Sequence, residues 1–335
     1  MPTIKDVALR AGVSRSTVSR VMNNQPYVDE EKRKAVKQAM KELGYLPNSS
    51  AQRLRGTETR TIAVLVSRIV NPFFSAIVDA MDEVAAEQSY RLILCNTRGS
   101  ANQELHFLQL LRTKQVDGLI LASLVNDWET IAPYTDYGPI VICNEYPRQY
   151  DGVPVVTIDQ TKAMYEATVH LLKKGYKQIA YCNPITKTES DAVISPLAQD
   201  RYLGFCQAME EAGMHMYGEC LFLGHSLEDG RNIFKQMVCL ANRPDAILTG
   251  SDEVAVGIIA EAKAAGWKIP DDLAIVGFDN QPHATLIEPE LTTIHQPVQE
   301  MGRAAMESML ALLRKESQPP LVTYLEAPLL ARKST

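Results

Sequence analysis

Four polar side chains near the N-terminus are spaced so that they could read the bases of DNA. Arg15, Ser16, Ser19 and Arg20 lie in the stretch AGVSRSTVSRVMNN, and their i, i+1, i+4 and i+5 spacing places them on one face of a helix. An arginine can donate to O6 and N7 of one guanine together, the commonest specific contact between proteins and DNA. The pattern favours base recognition, and for this stretch alone a solvated polar face is the alternative.

The residues around this helix indicate a small domain of three short helices. Thr3 and Asp6 have the spacing of a capping box that opens a first helix, and Gly12 permits a tight turn after it. Asp29 and Gly44 are the predicted start and end of a third helix. Two short helices joined by a glycine-containing turn, with a third helix beside them, predict a helix-turn-helix.

In a helix-turn-helix the second helix enters the major groove of DNA with its N-terminal end first. Arg15 and Ser16 lie at that end and Arg20 lies one turn further along, so these three are the predicted base-reading residues. Contacts to phosphates set the register of such a domain on the duplex. The side chains predicted to make them are Ser14, Ser19, Asn23 and Tyr27.

The charge of the chain is divided unevenly, which supports the same assignment. The 335 residues carry a formal net charge of −6, yet residues 1–60 hold 12 Lys and Arg against 6 Asp and Glu. The remainder is acidic, so only the N-terminal part is expected to meet a polyanion such as DNA.

Several classes of protein are disfavoured by the sequence. There is no apolar run of about 18 residues, and MPTIKDVALR lacks the apolar centre of a secretion signal, so we expect no membrane association. The six cysteines form no CxxC pair and are expected to be reduced thiols in a cytoplasmic protein. No G-x-S-x-G, H-E-x-x-H or glycine-rich phosphate loop occurs, so we expect neither an enzyme nor a metal or cofactor site.

The N-terminal sequence resembles a known family. The stretch TIKDVALRAGVSRSTVSRVMNNQPYVDEEKRKAVKQAMKELGYLPNSSAQRL is similar to the DNA-binding head of the LacI/GalR bacterial transcription regulators. The resemblance implies that Arg15, Ser16 and Arg20 read bases, and that residues 1–47 are the helix-turn-helix domain.

The same resemblance gives a meaning to residues 48–60. It implies a hinge helix that folds when two copies meet on DNA, with Leu54 wedged into the minor groove and Ala51 at a second minor-groove position. Such a wedge kinks the duplex, and the additional contacts offset the cost of unstacking. Arg53 and Arg55 are expected to add phosphate contacts.

Residues 61–335 alternate between apolar runs and amphipathic helical segments. The runs are rich in β-branched residues, as expected of parallel strands that are buried on both faces. They cover residues 61–67, 91–97, 117–123, 139–145, 154–159, 178–183, 245–250 and 273–279. This alternation predicts a doubly wound α/β fold, and the number of runs predicts two subdomains that divide near residue 159.

Polar residues follow several of these runs, where α/β sheets bind ligands. The body resembles the effector-binding core of the LacI/GalR family in motifs such as NPFF, QDRYLGFCQAM and IVGFDN. The resemblance implies a core like that of periplasmic sugar-binding proteins. Its N-subdomain would take residues 61–159 and 289–321, and its C-subdomain residues 160–288 and 322–335.

Six side chains are the candidates for effector binding. The resemblance implies that Phe73 and Phe74 border the ligand, that Arg201 and Asp279 grip its polar groups from opposite sides of a cleft, and that Ser251 is a second-tier contact. Arg68, which follows the first apolar run, joins them. Arginine and aspartate suit a polyhydroxylated ligand. The stretch GHSLEDG lacks the aromatic residue that many relatives carry, which disfavours a purine.

The predicted protein is a homodimeric repressor of transcription that binds a near-palindromic double-stranded DNA operator. Its effector is expected to be a sugar or a sugar derivative, and the lack of leucine heptads in LLARKST argues against a tetramer. An alternative is a global carbon regulator that uses a phosphorylated carrier protein as corepressor. A sugar-transport protein is disfavoured by the basic head.

Overall fold

The computed structural model describes residues 2–22, 25–45, 58–183, 186–187, 192–193, 195–215, 218–316 and 318–335. The chain divides into two compact units, Met1–Thr59 and Arg60–Thr335. Asn23 and the four predicted hinge residues Ala51, Arg53, Leu54 and Arg55 lie outside the described residues.

The first unit contains the three predicted helices, α1 (Ile4–Arg10), α2 (Arg15–Met22) and α3 (Glu30–Leu43). The predicted capping box is confirmed, because the Thr3 amide donates to Asp6 Oδ2 at 2.8 Å and the Asp6 amide donates to Thr3 Oγ1. Apolar side chains of all three helices form its core, which contains Val7, Ala8, Val18, Val21, Val36 and Ala39.

The second unit contains two six-stranded sheets, and every apolar run predicted as a strand is one. The first sheet has the order β13-β5-β4-β3-β1-β2, and the second has the order β14-β12-β11-β10-β6-β9. Only β14 runs antiparallel to its neighbour among these strands. A short hairpin, β7 and β8, stands apart. The strands are β1 (Thr61–Val66), β2 (Arg91–Asn96), β3 (Gly118–Leu121), β4 (Ile140–Cys143), β5 (Val155–Ile158), β6 (Ile179–Asn183), β7 (Thr186–Lys187), β8 (Ala192–Val193), β9 (Leu221–Leu223), β10 (Ala246–Leu248), β11 (Ala274–Asp279), β12 (Thr292–His295), β13 (Val322–Leu325) and β14 (Leu329–Leu330).

Helices cover both faces of each sheet, as the doubly wound prediction requires. The described helices are α4 (Pro72–Glu87), α5 (Ala101–Arg112), α6 (Trp128–Ile131), α7 (Gln160–Lys173), α8 (Pro196–Glu211), α9 (Leu227–Met237), α10 (Asp252–Ala264) and α11 (Val298–Arg314). The first sheet lies between two apolar clusters, and so does the second. Within the described ranges, no helix is long and apolar enough to cross a membrane.

The predicted subdomain bounds are wrong at two places near the C-terminus. Strand β12 pairs with β11, so residues 292–295 belong to the second sheet and not to the first. Strand β13 pairs with β5, so residues 322–325 belong to the first sheet and not to the second. Both strands have only four residues. A run this short does not indicate its sheet in the sequence, because the assignment depends on which distant strand it pairs with. The described chain therefore crosses between the subdomains after β5, after β12 and after β13.

Candidate functional site

The carboxyl ends of strands from both sheets line one cavity of about 310 Å³, which we call the cleft. The first sheet contributes the segments after β1, β2 and β4, and the second contributes those after β10, β11 and β12. Open α/β sheets bind ligands in the crevice at the carboxyl ends of their strands. All six predicted effector-binding side chains line the cleft: Arg68, Phe73, Phe74, Arg201, Ser251 and Asp279.

Asp279 is held at the end of β11 by two glutamines. Gln296 Nε2 donates to its Oδ1 at 2.7 Å, and Gln281 Nε2 donates to its Oδ2 at 3.0 Å. Burial raises the pKa of Asp279 to about 6, while the nearby Arg201 charge opposes that rise. Its φ of 109° is rare for a residue with a side chain, and such strain is concentrated at ligand sites. The carboxylate is therefore fixed in place before any ligand arrives.

Arg201 is buried on α8 and belongs to the same subdomain as Asp279. Its Nε donates to Gln160 Oε1 at 2.7 Å, its Nη1 donates to the Gly250 carbonyl at 2.9 Å, and its guanidinium lies 3.4 Å from the centre of the Phe278 ring. The prediction that Arg201 and Asp279 grip the ligand from opposite sides of the cleft is thus wrong in its geometry. Chain topology, which local sequence does not show, brings both to the second sheet.

Phe73 and Phe74 form the apolar wall on the side of the first sheet. They stand at the start of α4, where Asn71 Oδ1 accepts the Phe73 amide at 2.9 Å and caps the helix. The two rings meet edge to face, with 5.3 Å between their centres. Phe73 is buried and Phe74 is half-buried, so Phe74 presents more of its ring. Ser251, the predicted second-tier contact, caps α10 by accepting the Val254 amide.

Arg68 bridges the two subdomains besides lining the cleft. Its Nη1 donates to the His225 carbonyl at 2.7 Å and to Glu253 Oε2 at 3.0 Å. Asn71 Nδ2 donates to the same Glu253 oxygen at 3.2 Å. These bonds close one side of the cleft, and sequence reasoning, which assigned Arg68 to the ligand alone, did not anticipate them.

Three further polar atoms at the cleft are buried and have no hydrogen-bond partner within the described part of the chain. They are Asn144 Oδ1, Glu145 Oε2 and Gln296 Oε1. A buried acceptor without a donor costs free energy, so native structures nearly always satisfy it with protein, water or ligand. The cleft therefore offers acceptors to a ligand rich in hydroxyl donors.

A buried carboxylate behind the cleft supports this arrangement. Asp252 accepts the Thr293 hydroxyl and the Gln281 amide, both at 2.6 Å. Burial raises the pKa of Asp252 to about 8, and the charge of Asp279 adds to the rise. Asp252 thereby fixes Gln281, which in turn fixes Asp279. The described ranges hold no group of three His, Cys, Asp or Glu side chains placed to bind a metal ion.

The predicted DNA-reading face lies on α2 of the first unit. Arg15, Ser16 and Arg20 are exposed, and Ser19 is half-buried. Ser14, predicted to contact a phosphate, lies just before α2, where its Oγ accepts the Thr17 amide at 3.1 Å and caps the helix.

Tyr27, predicted to hold a phosphate, is 94% exposed in the segment between α2 and α3. A large aromatic side chain with so little burial contributes nothing to the core of the head. This exposure leaves the phenol accessible to a phosphate.

Two family models match the chain. One, described as "Bacterial regulatory proteins, lacI family", matches residues 3–48. The other, described as "Periplasmic binding proteins and sugar binding domain of LacI family", matches residues 59–333. Together they cover the head and nearly all of the two-sheet unit.

Individual proteins agree with these models. The chain is 38% identical to the NTD biosynthesis operon regulator NtdR of Bacillus subtilis, with all of both chains covered. It is 32% identical to the HTH-type transcriptional repressor PurR of Pectobacterium carotovorum, covering 100% of this chain and 97% of that one. A solved structure of a transcriptional regulator CelR–cellobiose complex superposes with a TM-score of 0.73 at 29% identity, again over all of both chains.

Proposed function

The chain belongs to the LacI family of bacterial regulatory proteins, and on that premise we propose that it is a repressor whose hold on a near-palindromic operator is controlled by a carbohydrate in the cleft. The observation that carries the proposal is the cleft itself, where a fixed carboxylate and a buried guanidinium stand opposite an aromatic wall. Sugars present hydroxyl groups to polar side chains and C–H faces to aromatic rings. The cellobiose named in the CelR structure supports the same class of ligand.

The relatives are named as regulators and repressors of transcription, which supports a regulatory role over catalysis. In this role the ligand binds in the cleft and is released without chemical change. Arg201 and Asp279 act as hydrogen-bonding groups, and each is held by neighbours that restrict its movement. Charge-assisted hydrogen bonds of this kind are short and directional.

The control mechanism follows from the two-subdomain architecture. A ligand that contacts both subdomains favours one relative orientation of them, and the three chain crossings are the places where that orientation can change. The bonds from Arg68 and Asn71 to Glu253 would form or break when the relative orientation of the subdomains changes. A shift in occupancy from 1:99 to 99:1 needs a differential affinity of about 5.5 kcal/mol, which a handful of charge-assisted bonds can supply.

A homodimer would place two heads on the two halves of the operator. Exposed apolar side chains favour one face for this contact: Ile93 and Leu94 on edge strand β2, and Leu221 and Leu223 on edge strand β9. The Arg68–His225 bond joins the segments that follow β1 and β9, so these edges lie on one side of the unit. Exposed apolar edge strands are typical of surfaces that pair with another chain.

Leu223→Asp is expected to weaken this dimer. Leu223 is 50% exposed, so the change spares the core but places a charge in the apolar contact. The dimer dissociation constant should rise by roughly 30-fold or more, as for other interface residues that contribute about 2 kcal/mol. Sedimentation velocity at several concentrations measures the change. Leu321→Asp, at the opposite edge and 60% exposed, is the matched control. Equal sedimentation of both variants would contradict the assigned face.

The proposed function is tested by fluorescence anisotropy of the full-length protein on a library of palindromic DNA. Salt is titrated first, because the slope of the logarithm of the binding constant against the logarithm of salt concentration reports the phosphate contacts separately from base recognition. Pools of neutral sugars and of sugar phosphates are then added. The proposal requires sequence-dependent binding that one sugar pool changes. Binding that responds only to a phosphorylated carrier protein would favour the alternative corepressor, and binding indifferent to sequence would refute the repressor.

A further inference from the structure

A second cavity, of about 550 Å³, adjoins the cleft, and we call it the side chamber. Glu145 and Ser195 line both cavities, so the two cavities meet at these side chains. The side chamber lies among the segments that follow β3 and β4 and the first turn of α8. Each volume falls in the range of about 300–1,000 Å³ that small-molecule sites occupy. None of the six side chains assigned to the effector lines the side chamber.

Two aromatic side chains and a proline form part of the wall of the side chamber. Trp128 and Tyr150 are half-buried and pack against the core of the first sheet, and Pro147 lies close to Tyr150 in the chain. Trp128 thus contacts the core of the first sheet and also borders the chamber. Aromatic surfaces beside a few polar groups are the usual lining of sites that bind organic ligands.

The charges along the chamber disfavour an anion. Its acidic side chains are Asp127, Glu129 and Asp151, together with Glu145, whose pKa is raised by burial to about 7. The arginine among its lining residues, Arg148, already donates to Asp200 Oδ1 at 2.6 Å and to Gln199 Oε1 at 2.9 Å. A sugar phosphate in the chamber would meet this acidic excess, and like charges brought together cost binding free energy.

The boundary between the two cavities offers a hydrogen-bond acceptor. Glu145 Oε2 is buried there without a partner within the described ranges, although the same carboxylate is hydrogen-bonded to Ser195. A hydroxyl group next to a glycosidic bond would satisfy this oxygen.

We infer that the side chamber is a second sugar subsite, and that the effector is a disaccharide without a phosphate, with one ring in the cleft and the other against Trp128. This inference rests on the proposed function, because it presumes a carbohydrate in the cleft. It adds the number of rings, the absence of a phosphate and the residue that recognises the second ring.

The tryptophan content of the chain provides a direct test. The two tryptophans are Trp128 and Trp267, and Trp267 packs edge to face on Phe234, among the core residues of the second sheet. In full-length Trp267→Phe, emission comes from Trp128 alone. Glucose, galactose and ribose are titrated first, followed by cellobiose, sucrose, maltose and trehalose. We expect one disaccharide to bind about tenfold tighter than any monosaccharide and to change this emission, while monosaccharides bind without changing it. In Trp128→Phe the remaining tryptophan is Trp267, and its emission should not change when the disaccharide binds.

Calorimetry on Trp128→Ala completes the test. The disaccharide should lose about tenfold in affinity and fall to the level of the monosaccharide, whose affinity stays unchanged. Trp128→Phe should recover most of the loss. A disaccharide that binds no tighter than a monosaccharide, or an equal loss for both in Trp128→Ala, would overturn the second subsite. If no sugar of either size binds, the carbohydrate effector itself is refuted, which is a separate result.

Discussion

Asp279→Asn is expected to abolish the effector response and leave operator affinity without effector unchanged. The carboxylate is held by Gln281 and Gln296 at 3.0 and 2.7 Å, so its remaining lone pairs are fixed for the ligand. An amide loses the charge and replaces one acceptor with a donor that faces the donating Nε2 of a glutamine. Hydrogen bonds to charged groups contribute about 1.5–3 kcal/mol each, so the loss of two should weaken the effector by roughly 100-fold or more.

The control for this variant is Asp271→Asn, which changes an exposed carboxylate in the loop before β11. Calorimetry gives effector affinity, and anisotropy gives operator affinity with and without effector. The control should match the wild type in both. An equal fall of operator affinity in Asp279→Asn would mean that the residue maintains the fold. A full effector response in that variant would remove Asp279 from the binding site.

The fold was predictable where a strong local pattern coincides with a buried element. The run TIAVLVS is apolar from Ile62 to Val66, and β1 is buried on both faces, so its sequence indicates both the strand and its position inside the sheet. Thr3 and Asp6 predicted the start of α1 for a similar reason, because a capping box involves only neighbouring residues.

Elements that depend on distant partners were not predictable. Strand β13 has no fully buried position in its four residues and joins the first sheet only by pairing with β5. The site shows the same limit. Gln281 follows Asp279 by two positions and reaches it locally, but Gln296 is an ordinary polar residue in sequence that only the packing of β11 beside β12 brings to Asp279. Local patterns thus predict elements, while long-range pairing decides which side chains share a site.

Arg15→Ala is expected to cost more operator affinity than any other substitution on the exposed face of α2. Arg15 opens α2, the end of a recognition helix that reaches base edges, and its side chain is exposed. Loss of a bidentate contact to guanine costs roughly 1–3 kcal/mol. Because the proposed dimer places one Arg15 on each half-site, the total on the preferred operator should be roughly 2–6 kcal/mol.

Two companion variants separate base reading from charge. Arg15→Lys keeps the charge but lacks the planar fork, so it should retain the salt dependence of binding and lose the base preference at one position in each half-site. Lys37→Ala removes an exposed charge on α3 and should leave the preference intact. Selection of bound sequences from a randomised operator library measures the preference of each variant. Since a phosphate contact requires only a positive charge, a lysine variant with unchanged base preference would place Arg15 on the DNA backbone instead.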